Sequence, residues 1–198
     1  MTLFKDKYRI ESVRLPGYDY SQPGAYFITI VTHNRQCLFG NIVDGEMIGN
    51  EFGELIKNEW LKTALIRPNI VIDAFVVMPN HLHGILIITD NGCGCGFGDG
   101  RGTLQRASTK TETESESGNG TTIEQFGKPT KNSIPTIVRL FKSTTTKQIN
   151  QLRQMPMQPL WQRNYHEHVI RNDTELTRIR QYIINNPKKW EEDNMNKL

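Results

Sequence analysis

Two histidines interrupt the apolar run "VVMPNHLHGILII" at residues 76–88. This run could form a buried β-strand without either imidazole. Because successive side chains of a strand point to opposite faces, His81 and His83 should lie on one face and Leu82 on the other. Two imidazoles on one face could bind a metal ion, since histidine is the commonest metal ligand in proteins. They could also be a hydrogen-bonded pair at the start of a strand, and the spacing alone leaves both readings open.

A tyrosine and an asparagine stand four residues apart in the last predicted helix, "NDTELTRIRQYIINNP". At about 100° per residue, the stripe Leu176, Ile179 and Ile183 faces the core and Tyr182 lies beside it. Asn186, one turn after Tyr182, is its neighbour on the helix surface. A phenol at the edge of a buried face could reach into a cleft, or it could pack its ring and leave its hydroxyl in water. Asn186 precedes a proline and could simply end the helix.

The predicted elements around these residues are strands and helices in alternation. Strands are predicted at 25–33, 70–78, 81–89 and 160–171, and helices at 51–66, 133–153 and 172–186. Residues 41–50 read as an extra hairpin around Asp44-Gly45. The order predicts an α+β fold: a ferredoxin-like βαββαβ core with an antiparallel sheet, the extra hairpin, and a C-terminal helix that carries the tyrosine. The order of the strands in the sheet is not predicted by these patterns.

The length of 198 residues suits a single domain spanning residues 1–198, with an insertion at about 90–132. That segment contains "DNGCGCGFGDGRGTLQRASTKTETESESGNG" and has hardly any apolar residue. Burial of so little apolar surface cannot offset the entropy lost on ordering, so the composition predicts a flexible insertion.

Basic residues cluster towards both ends of the chain, although the net charge is only +3. Such clusters are typical of a nucleic-acid-binding surface, but also of an ordinary solvated surface. The candidate DNA-binding residues are Arg14, Arg35, Lys142, Lys147, Arg163, Arg171 and Lys188.

The cysteines and the hydropathy indicate a cytoplasmic protein. Three cysteines are an odd number without the spacing of a disulfide framework, which is usual in a reducing compartment. No stretch approaches the roughly 20 apolar residues of a membrane span, so no membrane association is expected. The first residues lack the apolar region of a signal peptide.

Five segments together resemble a known family. They are "YFITIVTHNRQCLFG", "DAFVVMPNHLHGILI", "FKSTTTKQIN", "LWQRNYHEHVIRN" and "RIRQYIINNP". In this order they resemble the single-tyrosine HUH transposases, and most closely the REP-associated tyrosine transposases. The resemblance spans nearly the whole chain apart from the insertion, and the joint presence of "MPNHLHG" and a downstream "YIxxNP" is its most specific feature.

This resemblance implies a catalytic site and a cofactor. It makes His81 and His83 ligands of a divalent ion and Tyr182 the nucleophile. Related insertion-sequence transposases use a glutamine one turn after the tyrosine as the third ligand, and here that position is Asn186, which is one methylene shorter. Imidazoles alone would suit zinc, copper or nickel, whereas the family and a phosphate substrate argue for Mg²⁺ or Mn²⁺.

The implied activity is metal-dependent nicking and joining of single-stranded or hairpin DNA through a 5′-phosphotyrosine, by a monomer or a homodimer. Tyr165 is the rival nucleophile, but it lies in a predicted strand, and Glu167 or His168 could also contact the metal. Two alternatives remain. One is a domesticated protein that binds repeat DNA with little or no transposition, and the other is a ferredoxin-like nucleic-acid binder without catalysis.

Overall fold

The computed structural model describes residues 18–90 and 130–192. The strands are β1 (Gly24–Val31), β2 (Gly40–Val43), β3 (Glu46–Gly49), β4 (Ile70–Met78), β5 (His81–Ile88) and β6 (His166–Ile170). The helices are α1 (Glu51–Leu65), α2 (Ile134–Leu152) and α3 (Asp173–Asn185), with short 3-10 helices at His33–Arg35 and Pro187–Glu192. Arg14 and residues 91–129, which make up most of the predicted insertion, lie outside the described residues. No helix in the described ranges has the length and apolar character needed to cross a membrane.

Four strands form one antiparallel sheet in the order β4-β5-β1-β6. α1 lies between β1 and β4 in the chain, and β4 pairs with β5 on the side away from β1. α2 connects β5 to β6. This is the split βαβ arrangement of a ferredoxin-like βαββαβ core, so the predicted fold class is confirmed. The extra hairpin is also present as the two-stranded sheet β2–β3. Its turn residues Asp44 and Gly45 both have positive φ, 51° and 74°, as a two-residue hairpin turn requires.

The last strand is shorter than the sequence predicts. The predicted strand began at residue 160, but β6 begins at His166, and Trp161 makes only an isolated bridge to Thr32. Lys142 of α2 accounts for the difference, because its ammonium group donates hydrogen bonds to the carbonyl oxygens of Gln162 and Arg163. Those carbonyls are directed to a lysine rather than to a neighbouring strand.

The helices α1 and α2 cover one face of the sheet with a large aromatic core. Trp60 of α1 packs edge-on against Phe141 of α2 with ring centroids 5.2 Å apart, and both contact the cluster around Leu82 and Leu86. Gly84 lets Trp60 approach the sheet, because a Cβ there would lie 2.6 Å from a ring carbon of the tryptophan. This explains the glycine that follows the two histidines.

The opposite face of the sheet is covered by α3. Its residues Leu176, Ile179 and Ile183 pack against a cluster that contains Ile85 and Ile170. Full burial of such side chains contributes about 1.5–3 kcal/mol each. The predicted core-facing stripe is therefore confirmed, and it docks the last helix on the face where the histidines lie.

Candidate active site

The two histidines lie side by side on the α3 face of β5. His81 is 0 % exposed and His83 is 2 % exposed. Their ring centroids are 4.5 Å apart. The alternation of strand side chains thus placed them correctly on one face, with the two rings close together.

The orientation of His81 is set by its chain neighbour. The Nδ1 atom of His81 lies 2.7 Å from Oδ1 of Asn80, and Nδ2 of Asn80 donates a hydrogen bond of 3.0 Å to the carbonyl oxygen of Arg35. This second bond fixes which end of the amide faces the ring, so Nδ1 of His81 must be the donor. In the neutral ring the lone pair is then on Nε2, the form in which an imidazole binds a metal.

The orientation of His83 is set by the neighbouring strand. Its Nδ1 atom lies 2.8 Å from Oγ1 of Thr29, the residue that pairs directly with it in β1. The ring of Phe27 stacks on it at a centroid distance of 5.4 Å. Burial, together with the nearby rings of His81 and His166, holds the pKa of His83 well below its usual value. His83 is therefore uncharged at neutral pH, as a metal ligand must be.

Tyr182 reaches the histidines from α3. Its hydroxyl oxygen lies 3.2 Å from Nε2 of His83, and the two ring centroids are 5.2 Å apart. The tyrosine is 45 % exposed, so one side of it is open to solvent while the hydroxyl is held at the buried pair. The position at the edge of the core stripe, predicted from helical spacing, brings it to the histidines.

Asn186 is buried at the end of α3, where it is 3 % exposed. Its Oδ1 atom has no hydrogen-bond partner among the described residues. A buried amide oxygen without a partner costs free energy and calls for an explanation such as a bound ion. Across the described part of the chain, no group of three His, Cys, Asp or Glu residues could hold a metal. The described residues therefore include two buried imidazoles and a buried amide oxygen as candidate donors, and their joint binding of a metal ion stays a prediction.

The rival tyrosine lies on the other face of the sheet. The hydroxyl of Tyr165 donates a 2.6 Å hydrogen bond to Oε2 of Glu167, and Tyr165 packs against the core under α1 and α2. His168 lies on the α3 face, but its Nε2 atom is 2.8 Å from Oε1 of Glu175. The structure therefore separates Tyr165 and Glu167 from the histidine pair by the thickness of the sheet.

The predicted DNA-binding residues are dispersed over the described surface. Lys142, Lys147 and Arg163 line one groove beside Trp161. Lys142 is engaged there by carbonyl oxygens, and burial lowers its pKa to about 8. The remaining described candidates lie apart from this groove. They are Arg35 in the first 3-10 helix, Arg171 just before α3, and Lys188 in the last 3-10 helix. Their role in DNA binding stays a prediction.

Sequence reasoning missed the residues that orient the histidines. Asn80 could have been found, because it directly precedes His81. Thr29 and Phe27 could not, since their place beside His83 depends on the register between β1 and β5. Trp190, whose ring centroid is 5.9 Å from that of His81, comes from the 3-10 helix after Pro187, where no element was predicted.

Comparisons with known proteins find a relative and a solved structure that each align with most of this chain. An uncharacterized protein of Haemophilus influenzae is 37 % identical over 184 residues, which are 93 % of this chain and 91 % of the relative. A solved structure of a REP-associated tyrosine transposase bound to a REP hairpin aligns with a TM-score of 0.53 at 19 % identity, over 91 % of this chain and 74 % of that chain. No family profile matches the chain. The chain therefore belongs to the same family as the Haemophilus influenzae protein and has the fold of the REP-associated tyrosine transposases.

Proposed function

We propose that this protein is a transposase that nicks and joins single-stranded DNA through Tyr182 in a metal-dependent reaction. One observation carries the proposal: the Tyr182 hydroxyl lies 3.2 Å from Nε2 of His83, on the sheet face where both histidines are buried. A tyrosine hydroxyl beside a residue that would hold the ion is where metal-assisted covalent catalysis needs its nucleophile.

The ion would be held by Nε2 of His81, Nε2 of His83 and Oδ1 of Asn186, and a phosphate substrate favours Mg²⁺ or Mn²⁺. When bound, such an ion polarises a non-bridging oxygen of the scissile phosphate. Asn80 and Thr29 would hold the two rings in the orientation that binding needs, since the outer partners of metal-binding histidines commonly fix their orientation.

Tyr182 would attack the phosphorus in line. The phenol loses its proton, a bond forms between its oxygen and phosphorus, and the bond from phosphorus to the 3′-oxygen breaks. The leaving oxygen takes up a proton and becomes a 3′-hydroxyl, while the other strand end stays on the enzyme as a 5′-phosphotyrosine. Attack by a second 3′-hydroxyl on this ester restores the phenol and reseals the strand. No ATP is needed, because the covalent link retains the energy of the original phosphodiester.

A phenol with a pKa of about 10 is mostly protonated at neutral pH, so the reaction requires its ionisation in the site. The open side of Tyr182 gives a phosphate access and lets the proton pass to solvent. The substrate we propose is single-stranded or hairpin DNA. The fold is shared with a transposase whose solved structure holds a REP hairpin, and basic side chains such as Lys147 and Arg163 could bind phosphates.

The test is strand cleavage of a labelled hairpin with single-stranded flanks, in the presence of Mg²⁺ or Mn²⁺. The parent protein should nick it, EDTA should stop the reaction, and Tyr182→Phe and His81→Ala should be inactive. Tyr165→Phe is the matched control and should retain nicking, because its hydroxyl lies on the other face of the sheet. Binding without any nicking by the parent would instead favour a domesticated repeat-binding protein.

A further inference from the structure

A cavity of about 520 Å³ opens beside Tyr182 along α3 and the following 3-10 helix. Tyr182 and Asn186 contribute to it and so join it to the histidine site. The remaining lining side chains are two carboxamides, Gln181 and Asn185, and three charged groups, Arg178, Lys189 and Glu192. The volume lies within the roughly 300–1,000 Å³ typical of cavities that bind small ligands.

The carboxamides point to a ligand with a hydrogen-bonding edge. Gln181 and Asn185 each present a donor and an acceptor side by side, the pattern that matches the edge of a nucleobase. Asn186 is 3 % exposed and is also the proposed third ligand of the ion, so the cavity would border the proposed metal site.

The charged groups suit the rest of a nucleotide. Arg178 and Lys189 are surface cations of the kind that bind backbone phosphates. Glu192 can accept a hydrogen bond from a base amino group. Tyr182 is the one aromatic residue among the described residues that line the cavity, and most of the others can form hydrogen bonds, which favours recognition through hydrogen bonds over stacking.

We propose that this cavity binds the unpaired nucleotide next to the scissile phosphate, and that Gln181 and Asn185 recognise its base. The inference rests on the proposed function, since the nucleotide is placed next to the scissile phosphate only if Tyr182, which lines the cavity, is the nucleophile. Only an unpaired base can offer its full hydrogen-bonding edge to side chains, so the cavity would bind single-stranded DNA rather than duplex. It would give the enzyme a base preference at the cleavage position.

The experiment is a binding selection that does not depend on nicking. Full-length Tyr182→Phe protein is incubated with Mg²⁺ and a DNA hairpin that carries a randomised single-stranded flank, and the bound fraction is sequenced. One base should be enriched at one flank position by at least about fivefold, the discrimination expected of an amide–base contact. In the Tyr182→Phe protein, a second substitution, Asn185→Ala or Gln181→Ala, should abolish the enrichment at that position and at no other. The melting temperature should stay within a few degrees of that of the Tyr182→Phe protein.

Two control variants separate base recognition from general binding. Asn58→Ala removes an exposed carboxamide from α1, on the other side of the sheet, and should keep the enrichment. Lys189→Ala should weaken binding of all sequences alike, as the loss of a phosphate contact does.

No enrichment by the Tyr182→Phe protein, or the same enrichment in both carboxamide variants, would overturn the cavity proposal. Formation of a covalent product between the parent protein and DNA is measured in a separate assay. A base preference without any covalent product would contradict the proposed function alone, and a covalent product without a base preference would contradict the cavity proposal alone.

Discussion

Each histidine of the site has one ring nitrogen engaged by a neighbouring polar side chain. Asn80 accepts from Nδ1 of His81, and Thr29 contacts Nδ1 of His83. In His83 the other nitrogen, Nε2, lies 3.2 Å from the Tyr182 hydroxyl oxygen. Both imidazoles are thus held in a fixed orientation, which would lower the entropic cost of binding the proposed ion.

Removal of the Thr29 hydroxyl should weaken metal binding while the fold is retained. Thr29→Val keeps the shape of the side chain but deletes the 2.8 Å contact to His83. Loss of such an outer partner typically costs about 10- to 100-fold in metal affinity. Titration calorimetry with Mn²⁺ measures the effect. Thr63→Val, which alters a buried threonine of α1 on the other face, is the control and should bind Mn²⁺ like the parent. Equal affinity in Thr29→Val would contradict this role.

The helix α3 carries the proposed nucleophile, and polar contacts supplement its apolar stripe. Arg180 forms a bidentate ion pair with Asp73 of β4. Its Nε atom lies 2.7 Å from Oδ2 of Asp73, and its Nη2 atom lies 2.6 Å from Oδ1. At the start of the helix, the side chain of Asn172 accepts from the backbone of Glu175, and Glu175 accepts from the backbone N–H of Arg171. These contacts set the position of the helix along the sheet, and with it the position of Tyr182.

Breaking the Asp73–Arg180 pair should reduce nicking more than stability. Arg180 is 42 % exposed at its side chain, so Arg180→Ala should lower the free energy of unfolding by about 1 kcal/mol or less. A displacement of Tyr182 of about 1 Å would nevertheless slow the reaction about 100-fold. Urea unfolding and single-turnover nicking measure the two effects. Lys62→Ala removes an ion pair of α1 and should change neither. Parallel small losses in both assays would show that the pair only stabilises the fold.

The capping contact of Glu175 should give a pH-dependent contribution to stability. The backbone N–H of Arg171 and the ring of His168 hold the pKa of Glu175 below its ordinary value of 4.5. The carboxylate therefore stabilises the folded state above pH 4.5, and this contribution is lost as the pH falls through the lower folded pKa. Glu175→Gln keeps an acceptor for the Arg171 N–H but removes the charge, so it should slightly lower the free energy of unfolding at pH 7. Urea titrations should show the difference from the parent narrowing below pH 4.5, and a difference independent of pH would contradict the assignment.

At the scale of the whole molecule, the sequence predicted elements better than their arrangement. Helical and strand periodicities depend on residues close in the chain. It was therefore predictable that His81 and His83 share one face of β5 and that Tyr182 lies at the edge of the buried stripe of α3. The order β4-β5-β1-β6 was not, because strand pairing joins residues far apart in the chain. The contacts of Thr29 with His83 and of Trp190 with His81 were not predictable for the same reason.

Replacement of residues 91–129 should leave the domain stable. On either side of this segment the backbone is anchored, since Thr89 N bonds to Asn69 O at 2.9 Å and Ile134 N bonds to Tyr20 O at 3.1 Å. A Gly/Ser linker of about 12 residues is long and flexible enough to serve as the connection in the test. Calorimetry should find the melting temperature within about 4 °C of the parent, which corresponds to about 1 kcal/mol. A drop of more than about 10 °C would show that the segment contributes to the core.

The most direct test of the account is to locate the covalent bond between protein and DNA. A 3′-labelled hairpin oligonucleotide is incubated with the protein and Mn²⁺, and the adduct is isolated on a denaturing gel, digested with trypsin and analysed by mass spectrometry. The label should remain with the protein, because the strand on the 3′ side of the nick keeps the phosphotyrosine. Cleavage after Arg180 and Lys188 yields the peptide "QYIINNPK" (181–188), whose single tyrosine is Tyr182. We expect the nucleotide on this peptide. A nucleotide on "NYHEHVIR" (164–171), the peptide of Tyr165, or no adduct from active protein that binds the hairpin, would contradict the central claim.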